Sequence, residues 1–81
     1  MKTIYKYIVT GNPIEIYKDA VIVHCNKQDS YHCFWALVDT NNPLERRHFD
    51  VVGTGWTLVD DMHHVGTFIE GQYVWHVVER K

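Results

Sequence analysis

Long hydrophobic runs are missing from this chain of 81 residues. The roughly 20 consecutive apolar residues that a transmembrane helix needs are nowhere present. A secretory leader also finds no match. The start MKTIYKYIVT has two lysines but no continuous apolar region and no cleavage-like site, so a cytoplasmic protein is expected. Proline is scarce, with two residues, and no low-complexity tract, internal repeat or linker interrupts the chain. Positive charge is in deficit. The formal net charge is −2 with the six histidines neutral, which disfavours nucleic acid as a partner. Cysteine is limited to Cys25 and Cys33, expected to be free buried thiols in a reducing compartment. No nucleophile motif and no zinc-ligand spacing occurs. An enzyme is therefore not expected, and neither a cofactor nor a metal is implied.

What is present argues for a packed single domain over residues 1–81. Apolar residues make up 46% of the chain, which is incompatible with disorder. The eleven aromatic rings are a heavy load for this length. Some of them must reach the surface, where they mark a ligand or partner face. A core this small also gains from self-association, so a homo-oligomer is expected.

Alternation assigns strands. Residues 2–10, KTIYKYIVT, put Tyr5, Tyr7 and Val9 on one face and Ile4, Lys6 and Ile8 on the other. Gly11-Asn12-Pro13 turns the chain, and Ile14 and Ile16 alternate with Glu15 and Tyr17 in a short strand. Residues 20–25, AVIVHC, are nearly all apolar, which predicts a strand covered on both faces or lying centrally. Residues 26–30, NKQDS, read as a loop. Residues 31–39, YHCFWALVD, and 45–52, ERRHFDVV, read as the two arms of a central hairpin turning at DTNNP. In the second arm Arg47, Phe49 and Val51 face the core, with Arg47 near the rim. Residues 56–64 read as a loop or one helical turn. Residues 65–70 and 72–79 flank Gly71 as a C-terminal hairpin. The sum is an all-β or mostly-β protein, a small antiparallel sandwich or barrel of six to seven short strands.

With these segments placed, the chain resembles a family of small proteins encoded by phages and prophages. The matching elements are KTIYKY, WALVD at 35–39, an Arg and Phe leading into VVGTG at 47–55, GT at 66–67 and VWHV at 74–77. The family has no assigned function, so the resemblance implies an origin and a size class and supplies no catalytic residues. The loops NKQDS and DDMHH are particular to this chain. Accessory phage proteins of this size often counter host defences, which implies action inside the infected cell.

One constellation carries the leading functional reading. Gly53, Thr54 and Gly55 can expose backbone N–H groups to a phosphate. Arg46 and Arg47 lie upstream on opposite strand faces, and either can supply a guanidinium fork. Trp56 follows and can stack on a base. The expected activity is non-enzymatic sequestration of an anionic, nucleotide-type signal. A sharp turn or bulge with Trp56 capping the core explains the same residues without a ligand. Two other readings stay open. One is a protein–protein inhibitor of a host defence effector or nuclease, using an edge strand or the face around Asp60-Asp61-Met62. The other is a metal-binding or hydrolytic protein. It would use the His24-Cys25 and His32-Cys33 pairs, or His63-His64 beside Asp60-Asp61.

Overall fold

The computed structural model describes residues 1–58 and 61–80. Seven strands run in chain order: β1 (Lys2–Ile8), β2 (Pro13–Tyr17), β3 (Val21–Gln28), β4 (Tyr31–Asp39), β5 (Leu44–Gly53), β6 (Met62–Glu70) and β7 (Tyr73–Arg80). They build two antiparallel sheets. Sheet A has the order β1-β4-β3 and sheet B the order β2-β5-β7-β6. The molecule measures 39 × 28 × 17 Å, a thickness that fits two layers spaced about 10 Å apart. Among the described residues there is no helix, and so none long and apolar enough to cross a membrane.

The strands follow from β-branched and aromatic content, and the turns from local chemistry. β3 and β4 are joined by Asp29 and Ser30, both at positive φ (51° and 71°), as a two-residue type I′ hairpin requires. That turn overturns the reading of NKQDS as a loop. The strand continues through Asn26, Lys27 and Gln28, which pair with Cys33, His32 and Tyr31. The C-terminal hairpin forms as expected, with Gly71 at φ 59° in the turn between β6 and β7.

The central hairpin does not form. β4 pairs with β1 and β3, so both of its edges are used, whereas β5 pairs with β2 and β7. The segment DTNNP instead carries the chain from sheet A to sheet B. The Asn41 backbone N–H donates to the Asp39 carboxylate at 3.0 Å and that of Thr40 to the Met1 carbonyl at 2.8 Å. The Asn42 side chain donates to the Lys18 carbonyl at 2.9 Å. Sequence proximity favoured a hairpin.

The core lies between the sheets. Phe34 from sheet A and Phe49 from sheet B are fully buried and meet with ring centroids 4.6 Å apart. Ile16, Ala36, Val38 and Val77 close around them. Arg47, Phe49 and Val51 do share the core side of β5, as alternation predicts. Tyr7 stacks on Phe34 at 5.3 Å. Where β3 and β6 approach, a Cβ on Gly66 would stand 2.5 Å from the Cys25 Sγ. Gly66→Ala must therefore displace the Cys25 side chain from that corner. Chemical denaturation is expected to show a loss of about 1–3 kcal/mol, the usual effect of overpacking. Both cysteines are free and buried, and burial pushes the Cys25 thiol pKa up.

β3 departs from expectation in a second way. It is an edge strand of sheet A, and its outward side chains are bare: Val21 is 58% and Val23 53% exposed.

Candidate functional site

The glycine-rich exit of β5 is where side chains from distant segments converge. The Trp56 backbone N–H donates to the Gly53 carbonyl at 3.1 Å, closing a tight turn. Gly55 occupies its third position at φ 87°, the value that a type II turn reserves for glycine. Thr54 is anchored to β7, its backbone N–H donating to the Val74 carbonyl at 3.3 Å and its hydroxyl lying 3.2 Å from the same atom. The chain then places Trp56 directly on Gly53. A Cβ there would stand 2.8 Å from the indole Nε1, so only a bare backbone admits the ring.

Trp56 remains 60% exposed and meets Trp75 edge-on, with centroids 5.7 Å apart and planes at 89°. Tyr73 lies 6.2 Å beyond Trp75. These rings, with Gly53, Thr54, Gln72 and Val74, line an open cleft of about 370 Å³. Trp75 is held in place by its indole N–H, which donates to the Glu70 carboxylate at 3.1 Å. Lys27 is ion-paired with that carboxylate and holds its pKa below the usual range.

Behind Trp56, on the outward face of sheet B, Thr54, His64, Thr67 and His76 form one hydrogen-bonded cluster. His76 Nε2 lies 2.9 Å from the Thr54 hydroxyl, and His76 Nδ1 lies 3.2 Å from both Thr67 Oγ1 and His64 Nε2. If the single Thr54 proton goes to Val74, His76 must donate from Nε2, which leaves Nδ1 as an acceptor. A smaller cavity of about 200 Å³, walled by Val52, Trp56, Leu58 and Val78, opens on this cluster. Thr54, Thr67 and His76 come from VVGTG, GT and VWHV, three of the segments that carry the family resemblance. Sequence reasoning passed over Thr67 and His76, because their meeting depends on the order β5-β7-β6.

The arginines are elsewhere. Gly53, Thr54, Gly55 and Trp56 are together, but Arg46 and Arg47 sit seven and six residues back from Gly53 along β5, roughly 20 Å away at the rise of a strand. Arg46 is exposed beside Glu15. Arg47 is committed to structure. Its Nε and Nη2 donate to the two oxygens of Glu79 at 2.6 and 2.8 Å, and its Nη1 donates to the Ala20 carbonyl at 2.9 Å. The hydrogen bonds it donates to Glu79 raise the Arg47 pKa further. The guanidinium expected to grip a phosphate is a half-buried fork on a carboxylate.

The histidine constellations also separate. The strand pleat sends His24 and Cys33 outward while Cys25 and His32 face the other sheet. His63 turns towards Glu79 at 3.4 Å, and its neighbour His64 towards His76. Asp60 lies outside the described residues, and Asp61 is exposed. Among the described residues, no three histidine, cysteine or carboxylate side chains converge as metal ligands.

A family model described as a domain of unknown function (DUF7352) matches residues 1–81. No curated protein and no solved structure matches the chain.

Proposed function

The chain belongs to that domain-of-unknown-function family, and from its own geometry we propose that it is a non-enzymatic binding protein whose ligand is a planar, nucleotide-type molecule seated in the Trp56 cleft. The observation that carries this reading is the exposed Trp56 ring held against bare Gly53 backbone and set edge-on to Trp75. Leaving so large an apolar ring in water is unfavourable, and stacking on a base removes that exposure. The polar groups beside the ring suit the rest of such a ligand. Thr54 and the backbone at Gly55 flank it, and nothing lies within 4 Å of where a Gly55 Cβ would be. The setting, a phage accessory protein that sequesters a defence signal in the host cytoplasm, rests on the family resemblance of the sequence segments.

Phosphate recognition through Arg46 and Arg47 does not fit a single copy, given their distance from the ring. Ring stacking therefore supplies the main affinity. Binding of a cyclic dinucleotide, followed by tryptophan fluorescence, is expected to weaken about 5- to 150-fold in Trp56→Ala, the range that loss of one base–aromatic stack predicts. Gly53→Ala, which displaces the ring without removing it, is expected to weaken binding in the same direction. Arg46→Ala, exposed and distant, is expected to leave it unchanged. Equal affinity of Trp56→Ala and the parent protein would remove the cleft as the site.

A further inference from the structure

The cluster on the outward face of sheet B runs its hydrogen bonds in one direction. The Val74 carbonyl can only accept, so the Thr54 hydroxyl, 3.2 Å away, donates to it. Thr54 Oγ1 then accepts from His76 Nε2 at 2.9 Å, which leaves His76 Nδ1 to accept from the Thr67 hydroxyl at 3.2 Å. Thr67 Oγ1 in turn accepts from His64 Nε2 at 2.9 Å. Both hydroxyl protons and both Nε2 protons are used. The chain ends on the lone pair of His64 Nδ1, which has no hydrogen-bond partner among the described residues.

We propose that this hydrogen-bonded chain is a phosphate subsite of the Trp56 cleft, which takes a phosphodiester group and receives a proton at His64 as the anion binds. The inference rests on the reading of the cleft as a nucleotide site, and it supplies the anion contact that Arg46 and Arg47 do not. Position supports it first. Gly53, Thr54 and Trp56 line both the cleft and the cavity of about 200 Å³ that opens on His64 and His76. A ligand stacked on the ring therefore lies beside the cluster. The donors support it next. Gly55 also lines that cavity, and its N–H donates to no acceptor among the described residues. Backbone N–H groups at such turns suit anions. The sign of the site agrees, because no described carboxylate lines the cavity.

The direction of the chain selects the ligand chemistry. A proton added at His64 Nδ1 turns the open end into a cationic donor and breaks no existing bond. An anion alongside favours that charged form. A second proton on His76 would set two cations on nitrogens 3.2 Å apart, so the cluster offers one positive charge. A phosphodiester carries one negative charge, whereas a terminal phosphate carries up to two. The surrounding charged groups are engaged elsewhere. On β5, Asp50 accepts from Arg80 of β7 at 3.1 Å and lies 3.7 Å from His48. On β6, His63 turns towards Glu79 and Glu70 is paired with Lys27. Asp61 is exposed ahead of β6, and residues 56–58 are uncharged.

Isothermal titration calorimetry with adenosine, AMP and cyclic AMP, in two phosphate-free buffers of different ionisation enthalpy, tests this. Cyclic AMP is expected to bind about tenfold more tightly than adenosine, as one charge-assisted hydrogen bond predicts, with net uptake of protons. AMP is expected to gain no more than cyclic AMP. His64→Gln keeps a donor for Thr67 but takes no proton. It is expected to erase both the advantage and the proton uptake, and to leave adenosine binding unchanged. Spectra of the histidine rings during titration with dimethyl phosphate give a second measurement that needs no base. His64 and His76 signals are expected to shift in the parent and in Trp56→Ala alike, and His76 to stay unshifted in His64→Gln. Ring signals that ignore dimethyl phosphate overturn the subsite, as does a cyclic AMP advantage that survives in folded His64→Gln. Adenosine affinity unchanged in Trp56→Ala removes the cleft instead, and the dimethyl phosphate result still decides the subsite.

Discussion

Arg47→Ala is expected to destabilise the protein by about 3–5 kcal/mol, the range for removing one partner of a buried ion pair. The geometry places it there. The guanidinium makes a two-pronged contact with Glu79, caps the Ala20 carbonyl and lies over the Phe49 ring at 5.3 Å. Glu79 is 7% exposed, so loss of Arg47 leaves a desolvated carboxylate whose remaining charge partner among the described residues is His63, at 3.4 Å. A domain of this size has a total stability near the lower end of the usual 5–15 kcal/mol, so the variant should be largely unfolded in mild denaturant. Two controls separate this mechanism from loss of packing. Replacing both residues, Arg47→Met with Glu79→Met, should recover most of the stability, because no charge remains buried. Adding Glu79→Gln to the single variant should also recover part, since the uncharged amide leaves no uncompensated charge. A single variant as stable as the parent by urea titration would contradict a structural role for Arg47 and reopen a ligand role.

Phe34→Ala is expected to have a comparable effect, about 3–5 kcal/mol, as large aromatic truncations in cores do. Phe34 is fully buried in the middle strand of sheet A, where it stacks on Tyr7 and meets Phe49 of sheet B. Its removal empties the contact that joins the two sheets. The thermal transition should fall by tens of degrees or disappear, because about 1 kcal/mol moves the midpoint by roughly 4–8 °C in a domain this small. Phe34→Leu should recover part of the loss by filling most of the volume. If Phe34→Ala melted within a few degrees of the parent, the two-sheet core would be wrong.

The strands were legible because alternation is local. Phe49 and Val51 fall on one side of β5 whether or not its partners are known. Pairing was not legible, because it is decided by contacts remote in sequence. The run YHCFWALVD is next in sequence to ERRHFDVV and reads as half of a hairpin with it, but alternation marks the faces of a strand and not the strands at its edges. The apolar run AVIVHC likewise carries no sign that β3 is an edge strand with Val21 and Val23 exposed. The site was half legible. Glycines flanking a threonine and followed by tryptophan mark a turn that presents a ring, and the structure builds that turn. Thr67 and His76 carry no local signature. They join Thr54 only because β7 lies between β5 and β6. The arginines stand apart from the ring because six or seven residues of extended chain intervene, and a carboxylate 32 residues downstream of Arg47 claims its guanidinium.

The most direct test of the binding claim is a ¹⁵N–¹H correlation spectrum recorded during titration with a cyclic dinucleotide, with adenosine as the phosphate-free probe. Large shifts are predicted for the Trp56 and Trp75 indole N–H groups and for the Thr54 and Gly55 amides, with little change at Arg46 or Arg47. Shifts confined to the Arg46 end of β5, or none with either probe, would contradict the account.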